Sequence, residues 1–201
     1  MKIKTFSGLI LIFLFCGIAS ADSKFDYLKV RGNTVRTTHQ ARYKIKIDKS
    51  FKPLGELHHQ PTYGEKQFNV SMAAFSDGAD IIMIHAETHT DKSGGLDYSN
   101  LKADSLNDLK FTSREQCAPV EAGAELATNP QIKFLREKGY AVKLPFLLKQ
   151  YFTTATDGTA EVVISYGTAV SSCDESSASF GEFKARIERK LRESVEVKKI
   201  R

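Results

Sequence analysis

The stretch that decides the fold is residues 66–90, KQFNVSMAAFSDGADIIMIHAETHT. Two apolar-rich arms, 66–75 and 79–90, lie on either side of the tripeptide Ser76-Asp77-Gly78. Aspartate followed by glycine is typical of a tight turn, because both residues tolerate a positive backbone φ. The segment therefore predicts an antiparallel β-hairpin.

The register of this hairpin follows from the face that each side chain takes. A three-residue loop with Gly78 in the left-handed conformation places Val70 opposite Ile84. A two-residue Asp-Gly turn places Val70 opposite His85 instead. Because a slip of one residue moves every side chain to the other face, we prefer the first register, which keeps the apolar side chains together.

Two further segments predict antiparallel strands. Residues 146–155 and 159–166 flank Thr156-Asp157-Gly158, which predicts a second hairpin of the same form. Residues 42–48 alternate strictly between charged and apolar side chains, and this N-terminal strand buries one face, with Tyr43, Ile45 and Ile47. Turn-forming residues after this strand, Pro53 and Gly55, predict a loop over residues 51–64.

Helical signals occur in three other segments. Spaced apolar residues predict a helix over 97–110, and Asn129-Pro130 predicts a helix start, with a stop at Gly139. The C-terminal helix is the clearest, since Ser179 and Glu182 form a capping box. Its apolar stripe consists of Phe180, Phe183, Ile187, Leu191 and Val195. Two Asp-Gly hairpins and an N-terminal strand, packed against helices that include this amphipathic one, predict an α+β fold.

The first 21 residues read as a cleaved secretory signal peptide. A positive start is followed by the apolar run Leu9–Phe15, and the small residues Ala19-Ser20-Ala21 fit a signal-peptidase site. This apolar run is shorter than the roughly 20 residues that cross a bilayer. A lipid anchor at Cys16 is disfavoured by the large Phe15 before it. We expect an exported protein, periplasmic or extracellular, with one globular domain over residues 22–201 and no transmembrane span.

Removal of the signal peptide changes the charge and the cysteine count. The whole chain has 201 residues, a net charge of +5 and three cysteines. Residues 1–21 take away two lysines and Cys16, which leaves 180 residues, a net charge of +3 and two cysteines. An even pair in an oxidising compartment predicts a disulfide between Cys117 and Cys173. It closes a 56-residue separation and contributes roughly 2–4 kcal/mol.

His85, Glu87 and His89 are the candidate metal or acid–base residues. On a strand the three share a face, but His85 and His89 lie about 13 Å apart at ~3.3 Å per residue. One zinc ion cannot easily bridge that distance, so a third ligand must come from elsewhere, from His39, His58 or His59. The alternative, which we favour, is a polar strand face exposed to solvent, with no cofactor.

Basic residues cluster at the C-terminus. Between Glu182 and Arg201 there are eight cations and four acids, so this segment carries +4 and the rest of the mature chain is nearly neutral. Its basic face predicts binding to an anionic surface or an envelope protein. A solvated helix face with a frayed tail is the alternative. The candidate residues are Lys184, Arg189, Lys190, Arg192, Lys198, Lys199 and Arg201.

The function expected from these patterns is non-catalytic binding or assembly outside the cytoplasm. The chain contains no G-x-S-x-G elbow and neither Gly-rich phosphate loop, and the secretory route disfavours nucleic acid. One alternative is a small metal-dependent or acid–base hydrolase that uses His85, Glu87 and His89. Another is a small-ligand carrier with a pocket between the sheet and the helices.

Overall fold

The computed structural model describes residues 25–63 and 65–201. The predicted signal peptide, residues 1–21, and Cys16 lie outside the described residues. Within them the chain is mostly antiparallel β-sheet with three short α-helices, which fits an α+β or mainly β fold. The helices are α1 (Gly123–Thr128), α2 (Pro130–Glu137) and α3 (Ala178–Ser194), and a single 3₁₀ turn, Val120–Ala122, precedes α1.

The strands form two sheets. The small sheet has the order β1-β2-β3-β12, and the large sheet has the order β4-β6-β7-β11-β10-β9-β8, with β5 paired to β6. In chain order the strands are β1 (Leu28–Arg31), β2 (Thr34–Thr37), β3 (Tyr43–Ile47), β4 (Lys52–His59), β5 (Thr62–Tyr63), β6 (Lys66–Ser76), β7 (Asp80–His89), β8 (Lys102–Leu106), β9 (Leu109–Ala118), β10 (Phe146–Thr154), β11 (Ala160–Ala169) and β12 (Val195–Lys199).

The small sheet contains the predicted alternating strand. In β3 the side chains of Tyr43, Ile45 and Ile47 are buried, as the pattern indicated. The tail after α3 is not frayed, because β12 pairs antiparallel with β3. Val195 and Val197 are both buried, whereas Glu196 between them is half-buried and Lys198 is exposed. This period-two pattern of β-branched residues favours a strand, so the helix ends at Ser194.

The predicted loop over 51–64 is wrong in large part, because residues 52–59 form β4. Pro53 lies on an edge strand, where a missing N–H costs no ladder hydrogen bond. Between Pro53 and Gly55 the register shifts, and Gly55 has a φ of 129°. Both residues therefore mark a bulge in an edge strand rather than the end of a strand.

The predicted helix over 97–110 is also wrong. This segment contains β8 and the start of β9, joined at Asn107-Asp108. Both turn residues have positive φ, 49° and 64°, as a two-residue hairpin turn between right-twisted strands requires. Leu106 and Leu109, which looked like helical neighbours, are paired across this turn.

The preferred register of the β6–β7 hairpin is wrong. Ser76 pairs with Ile81, so the loop has four residues, and Val70 lies opposite Glu87 rather than Ile84. All ten residues of β7 are buried. The register was predicted by requiring the apolar side chains to share one buried face. Since both faces of β7 are buried, that requirement does not distinguish one register from another.

Two hydrophobic clusters cover the two faces of the large sheet. The larger cluster joins it to the small sheet and α3, through residues such as Ile84, Tyr166 and Leu191. On the other face a smaller cluster joins Met83 to Phe134 and further residues of α2. The region around Glu87 lies on this second face, since Met83, His85 and Glu87 alternate along β7.

The helix ends show which local signals were sufficient. Asn129 caps α2 by accepting hydrogen bonds from two backbone N–H groups, as predicted. Ser177, not Ser179, caps α3, so the predicted capping box with Glu182 is wrong, although Ile187 and Leu191 are buried as expected.

The sulfurs of Cys117 and Cys173 lie at disulfide-bonding distance, with Cα atoms 5.6 Å apart.

Candidate functional site

A cavity of about 360 Å³ lies on the face of the large sheet that α2 covers. Four neighbouring strands, β7, β11, β10 and β9, line the bottom of this cavity with polar side chains. Residues paired across neighbouring strands lie on the same face of the sheet, which brings these side chains together. Glu87 of β7 pairs with Glu161 of β11, and Gln150 of β10 pairs with Arg114 of β9. Further lining residues come from outside these four strands, among them Tyr63, Tyr98 and Gln131.

Two carboxyl groups meet at the centre of this floor. Glu87 and Glu161 are 5% and 2% exposed, and they lie directly opposite each other on neighbouring strands. Burial raises the pKa of Glu161 to about 7, while the Tyr98 hydroxyl and the Arg114 guanidinium act in the opposite direction. Burial and the neighbouring Glu161 charge raise the pKa of Glu87 well above its ordinary value. Such a pair retains a proton between its two carboxyl groups near neutral pH.

His85 is the neutral neighbour of this carboxyl pair. Burial lowers its pKa to about 3, so the imidazole is uncharged at physiological pH. Its Nδ1 lies 3.8 Å from an oxygen of Glu87. Two buried side-chain atoms, His85 Nε2 and Glu161 Oε2, have no hydrogen-bond partner among the described residues. Both residues line the cavity, so a molecule inside it can form a hydrogen bond with either atom.

The Arg114 guanidinium is already held at the rim. Its Nε donates a hydrogen bond to Gln150 (2.8 Å), and its Cζ lies 5.0 Å from the centre of the Phe152 ring. Gln150 in turn donates to the Ser165 hydroxyl (3.2 Å). These contacts use one of the five N–H donors of the guanidinium and hold the cation in the lining of the cavity beside the carboxyl pair.

A second cavity, of about 590 Å³, adjoins the first between the sheet and α1–α2. Its lining combines apolar residues such as Met83, Leu135 and Leu148 with polar ones such as Gln116, Glu125 and Asn129. Four residues line both cavities: Tyr63, Arg114, Gln131 and Gln150. We call these two adjoining spaces the groove, and we name its polar end after the carboxyl pair and its apolar end after Met83, Leu135 and Leu148.

Of the three residues predicted as a metal or acid–base set, His85 and Glu87 line the cavity together. His89 does not, since its ring packs edge-on against Phe68 (4.6 Å between centroids) and its Nδ1 contacts Ser93 Oγ (3.1 Å). The expectation that this strand face is exposed to solvent is wrong, because α2 and the segments around Tyr63 and Tyr98 cover it.

The other histidines lie elsewhere. His59 contacts Gln131 at the rim of the cavity (3.3 Å), whereas His39 stacks on Tyr27 (5.3 Å between centroids). The metal-ligand grouping that the described residues present is Asp26, Glu56 and His58, whose ligand atoms lie within 4.8 Å of one another. A metal site at His85, Glu87 and His89 stays a prediction.

Sequence reasoning missed the most informative partner, Glu161. It lies in the predicted second hairpin, but nothing local indicates that β11 pairs with β7 and places Glu161 opposite Glu87. Tyr98 was assigned to a helix. The signal that could have indicated this site is the presence of polar residues, His85, Glu87 and Glu161, in segments that are otherwise apolar.

Several of the predicted basic surface residues form ion pairs within the protein. Lys184 pairs with Glu115 (2.6 Å), Lys190 with Asp80 (2.6 Å) and Lys198 with Glu196 (2.8 Å). The Arg192 guanidinium contacts both Asp104 (3.1 Å) and Glu188 (2.6 Å). Arg189, Lys199 and Arg201 are exposed.

Comparison with known proteins gives no family for this chain. No protein family, no curated protein and no solved structure matches it. Among the described residues, no helix is both long enough and apolar enough to cross a membrane.

Proposed function

We propose that this protein is an exported, non-catalytic binding protein for a small amphiphile. The observation that carries the proposal is the adjoining pair of cavities, which share Tyr63, Arg114, Gln131 and Gln150; one holds the buried carboxyl pair and the other is lined in part by aliphatic side chains. A groove of this kind suits a ligand with one polar end and one apolar end. Export rests on the signal-peptide pattern, with which a disulfide is compatible.

The polar end favours a ligand head that donates hydrogen bonds. Glu161 Oε2 is an acceptor without a partner among the described residues, and Glu87 and Glu161 share the negative charge at the centre of the cavity. Arg114, the cation that opposes them, donates through its Nε to Gln150 and offsets part of this negative charge. An amine or hydroxyl head therefore supplies what the carboxyl pair lacks, whereas a carboxylate head adds a third acidic group.

The apolar end favours an alkyl or similar body. Met83, Leu135 and Leu148 lie along the groove beyond the four shared residues. Burial of alkyl surface here contributes about 25 cal/mol per Å². The affinity should therefore grow with chain length until the groove is filled.

Calorimetry with three probes of equal chain length tests this proposal. We expect 1-dodecylamine and 1-dodecanol to bind and dodecanoate to bind at least about tenfold more weakly, one tenfold step being ~1.4 kcal/mol. Glu161→Gln should weaken amine binding by a similar factor, because it replaces the carboxyl group that offers Oε2 to the head with a neutral amide. Glu137→Gln, at an exposed position on α2, is the matched control and should bind like wild type.

A variant at the apolar end makes the test independent of the carboxyl pair. Leu148→Trp should fill part of the second cavity and weaken all the long-chain probes while leaving the unfolding midpoint close to that of wild type. If none of the probes saturates the wild-type protein, or if neither Glu161→Gln nor Leu148→Trp affects binding, the proposed function is wrong.

A second candidate is an acid–base hydrolase that uses Glu87 and Glu161. One observation favours it: the pKa of Glu161 is raised to about 7, near the value that suits a general acid or base. p-Nitrophenyl esters of increasing chain length test it. Hydrolysis that exceeds the buffer rate and falls at least about a hundredfold in Glu161→Gln supports catalysis, the loss of one general acid or base costing about 10²–10⁴.

A further inference from the structure

The outer face of the small sheet carries a row of cations that crosses all four strands. Lys29 of β1 pairs with Arg36 of β2, Arg36 pairs with Lys44 of β3, and Lys44 pairs with Lys198 of β12. Directly opposed residues share a face, so the four basic side chains stand in one line. With neighbouring strands about 4.8 Å apart, the row is about 15 Å long.

The burial pattern shows that this row faces outward. Along each strand the basic residues alternate with buried ones such as Val35 and Ile45, which pack into the larger core. Lys29, Arg36 and Lys198 are exposed, and Lys44 is half-buried. The alternation leaves the four cations on the side away from the large sheet.

Acidic residues do not neutralise this face. Two more cations, Arg31 and Lys46, stand beside the row, and one acid, Glu196, pairs with both Lys46 (3.1 Å) and Lys198 (2.8 Å). Among the described residues, no carboxylate forms an ion pair with the remaining four cations. Those four line a shallow depression of about 480 Å³: Lys29, Arg31, Arg36 and Lys44.

Like charges placed directly opposite one another destabilise a sheet, and this sheet places them opposite one another at three successive pairings. Among the described residues, Glu196 offsets this repulsion only at the last of the three pairings, through its ion pair with Lys198. An external anion that contacts several of these side chains at once would relieve it.

From this arrangement we infer that the outer face of the small sheet binds an anionic lipid surface through its phosphate groups. A nearly flat row of cations fits a layer of headgroups, which presents many phosphates in one plane. Single-stranded nucleic acid fits less well, because none of the outward positions of these four strands carries an aromatic ring for base stacking.

The location of this face agrees with the groove described above. The small sheet packs on one side of the large sheet, whereas the groove lies on the other side, under α1 and α2. A protein docked through the small sheet therefore leaves its groove facing away from the lipid surface. The inference does not depend on the ligand proposed for the groove.

Vesicle co-sedimentation of the protein tests the inference. Wild type should bind vesicles of phosphatidylglycerol and phosphatidylcholine, not vesicles of phosphatidylcholine alone, and lose binding when salt rises to about 1 M, where the screening length is about 3 Å. The triple variant Lys29→Gln, Arg36→Gln and Lys44→Gln should bind about a hundredfold more weakly, at about fivefold per cation.

The control removes the same charges elsewhere. Lys133→Gln, Arg136→Gln and Lys143→Gln neutralise two lysines and an arginine that are exposed on or near α2, and should change binding only a few-fold. Both triple variants should keep the wild-type unfolding midpoint or exceed it. Equal loss in the two variants, retained binding in the first, or binding of a single-stranded oligonucleotide without vesicle binding would each overturn the inference.

Discussion

At the scale of single residues, the carboxyl pair is where the protein departs most from ordinary solution chemistry. A glutamate in an unfolded chain loses its proton near pH 4.5, whereas burial holds the pKa of Glu161 at about 7. The folded protein therefore binds more protons than the unfolded chain between these two values. Proton binding by Glu161 therefore adds to the free energy of unfolding. This contribution is fully present below pH 4.5 and is lost as the pH rises through 7.

This linkage predicts the behaviour of Glu161→Gln. The amide can donate to Glu87 the hydrogen bond that the shared proton supplies, and it does not titrate. We expect the variant to gain on the order of 1–3 kcal/mol relative to wild type as the pH rises from about 5 to about 7.5. Urea unfolding across this pH range measures the difference.

His85 acts in the opposite direction, so a control is needed. Burial lowers its pKa to about 3, and the unfolded chain therefore takes up a proton below pH 6.5 that the folded protein excludes. The contribution of His85 to the free energy of unfolding therefore falls as the pH falls. It does so in wild type and in Glu161→Gln alike, so it cancels when the two proteins are compared. If Glu137→Gln gives the same pH-dependent difference as Glu161→Gln, the raised pKa is not its cause.

The sequence predicted two residues of the candidate site, His85 and Glu87, but not Glu161. Period-two spacing on a strand places His85 and Glu87 on one face, and the structure brings them together. Their burial and the pairing with Glu161 were not predictable, because both depend on which strand lies beside β7 and on what covers its face.

At the scale of elements, α3 is held to the sheet by charges as well as by its apolar stripe. Lys190 donates to the buried Asp80 carboxylate (2.6 Å), which also accepts a hydrogen bond from the Tyr166 hydroxyl (2.7 Å). Glu188 pairs with the buried ammonium of Lys149 (3.3 Å). Some of the basic residues of α3 that were predicted to bind an external partner, such as Lys190 and Arg192, instead form ion pairs with carboxylates of the large sheet.

Replacement of Lys190 by methionine should therefore destabilise the protein. The variant leaves the Asp80 carboxylate, 3% exposed, without its cation, and we expect a loss of about 1–3 kcal/mol in the free energy of unfolding. Arg189→Met changes the adjacent exposed residue and should stay within about 0.5 kcal/mol of wild type. Equal effects of the two variants in urea unfolding would contradict this role for Lys190.

At the scale of the whole molecule, Cys117 and Cys173 tie the end of β9 to the segment before α3. The two cysteines are 56 residues apart, and α1, α2, β10 and β11 lie between them. A cross-link over such a length restricts the unfolded chain and so favours the folded state.

Removal of the cross-link is a test at this scale. The double variant Cys117→Ser and Cys173→Ser should lose about 2–4 kcal/mol in the free energy of unfolding. The single variants should lose nearly as much, since each breaks the same bond. Intact mass with and without reductant checks the bond directly, and two free thiols in the native protein would refute it.

By itself, the sequence determined the elements whose signals are local. The alternation in β3, the Asn129 cap of α2 and the apolar stripe of α3 each lie within a few residues. The even cysteine pair follows from the cysteine count once the predicted signal peptide removes Cys16. Antiparallel sheet with helices follows from these signals because backbone hydrogen bonding and side-chain period are local properties.

Only the tertiary structure decided the register of β6 and β7, the strand nature of 97–110 and the composition of the groove. All three depend on strands far apart in the chain, and β7 is buried on both faces, so its pattern carries no preferred side. The pairing of Glu87 with Glu161 and the row from Lys29 to Lys198 exist because folding, not sequence neighbourhood, sets those residues opposite one another.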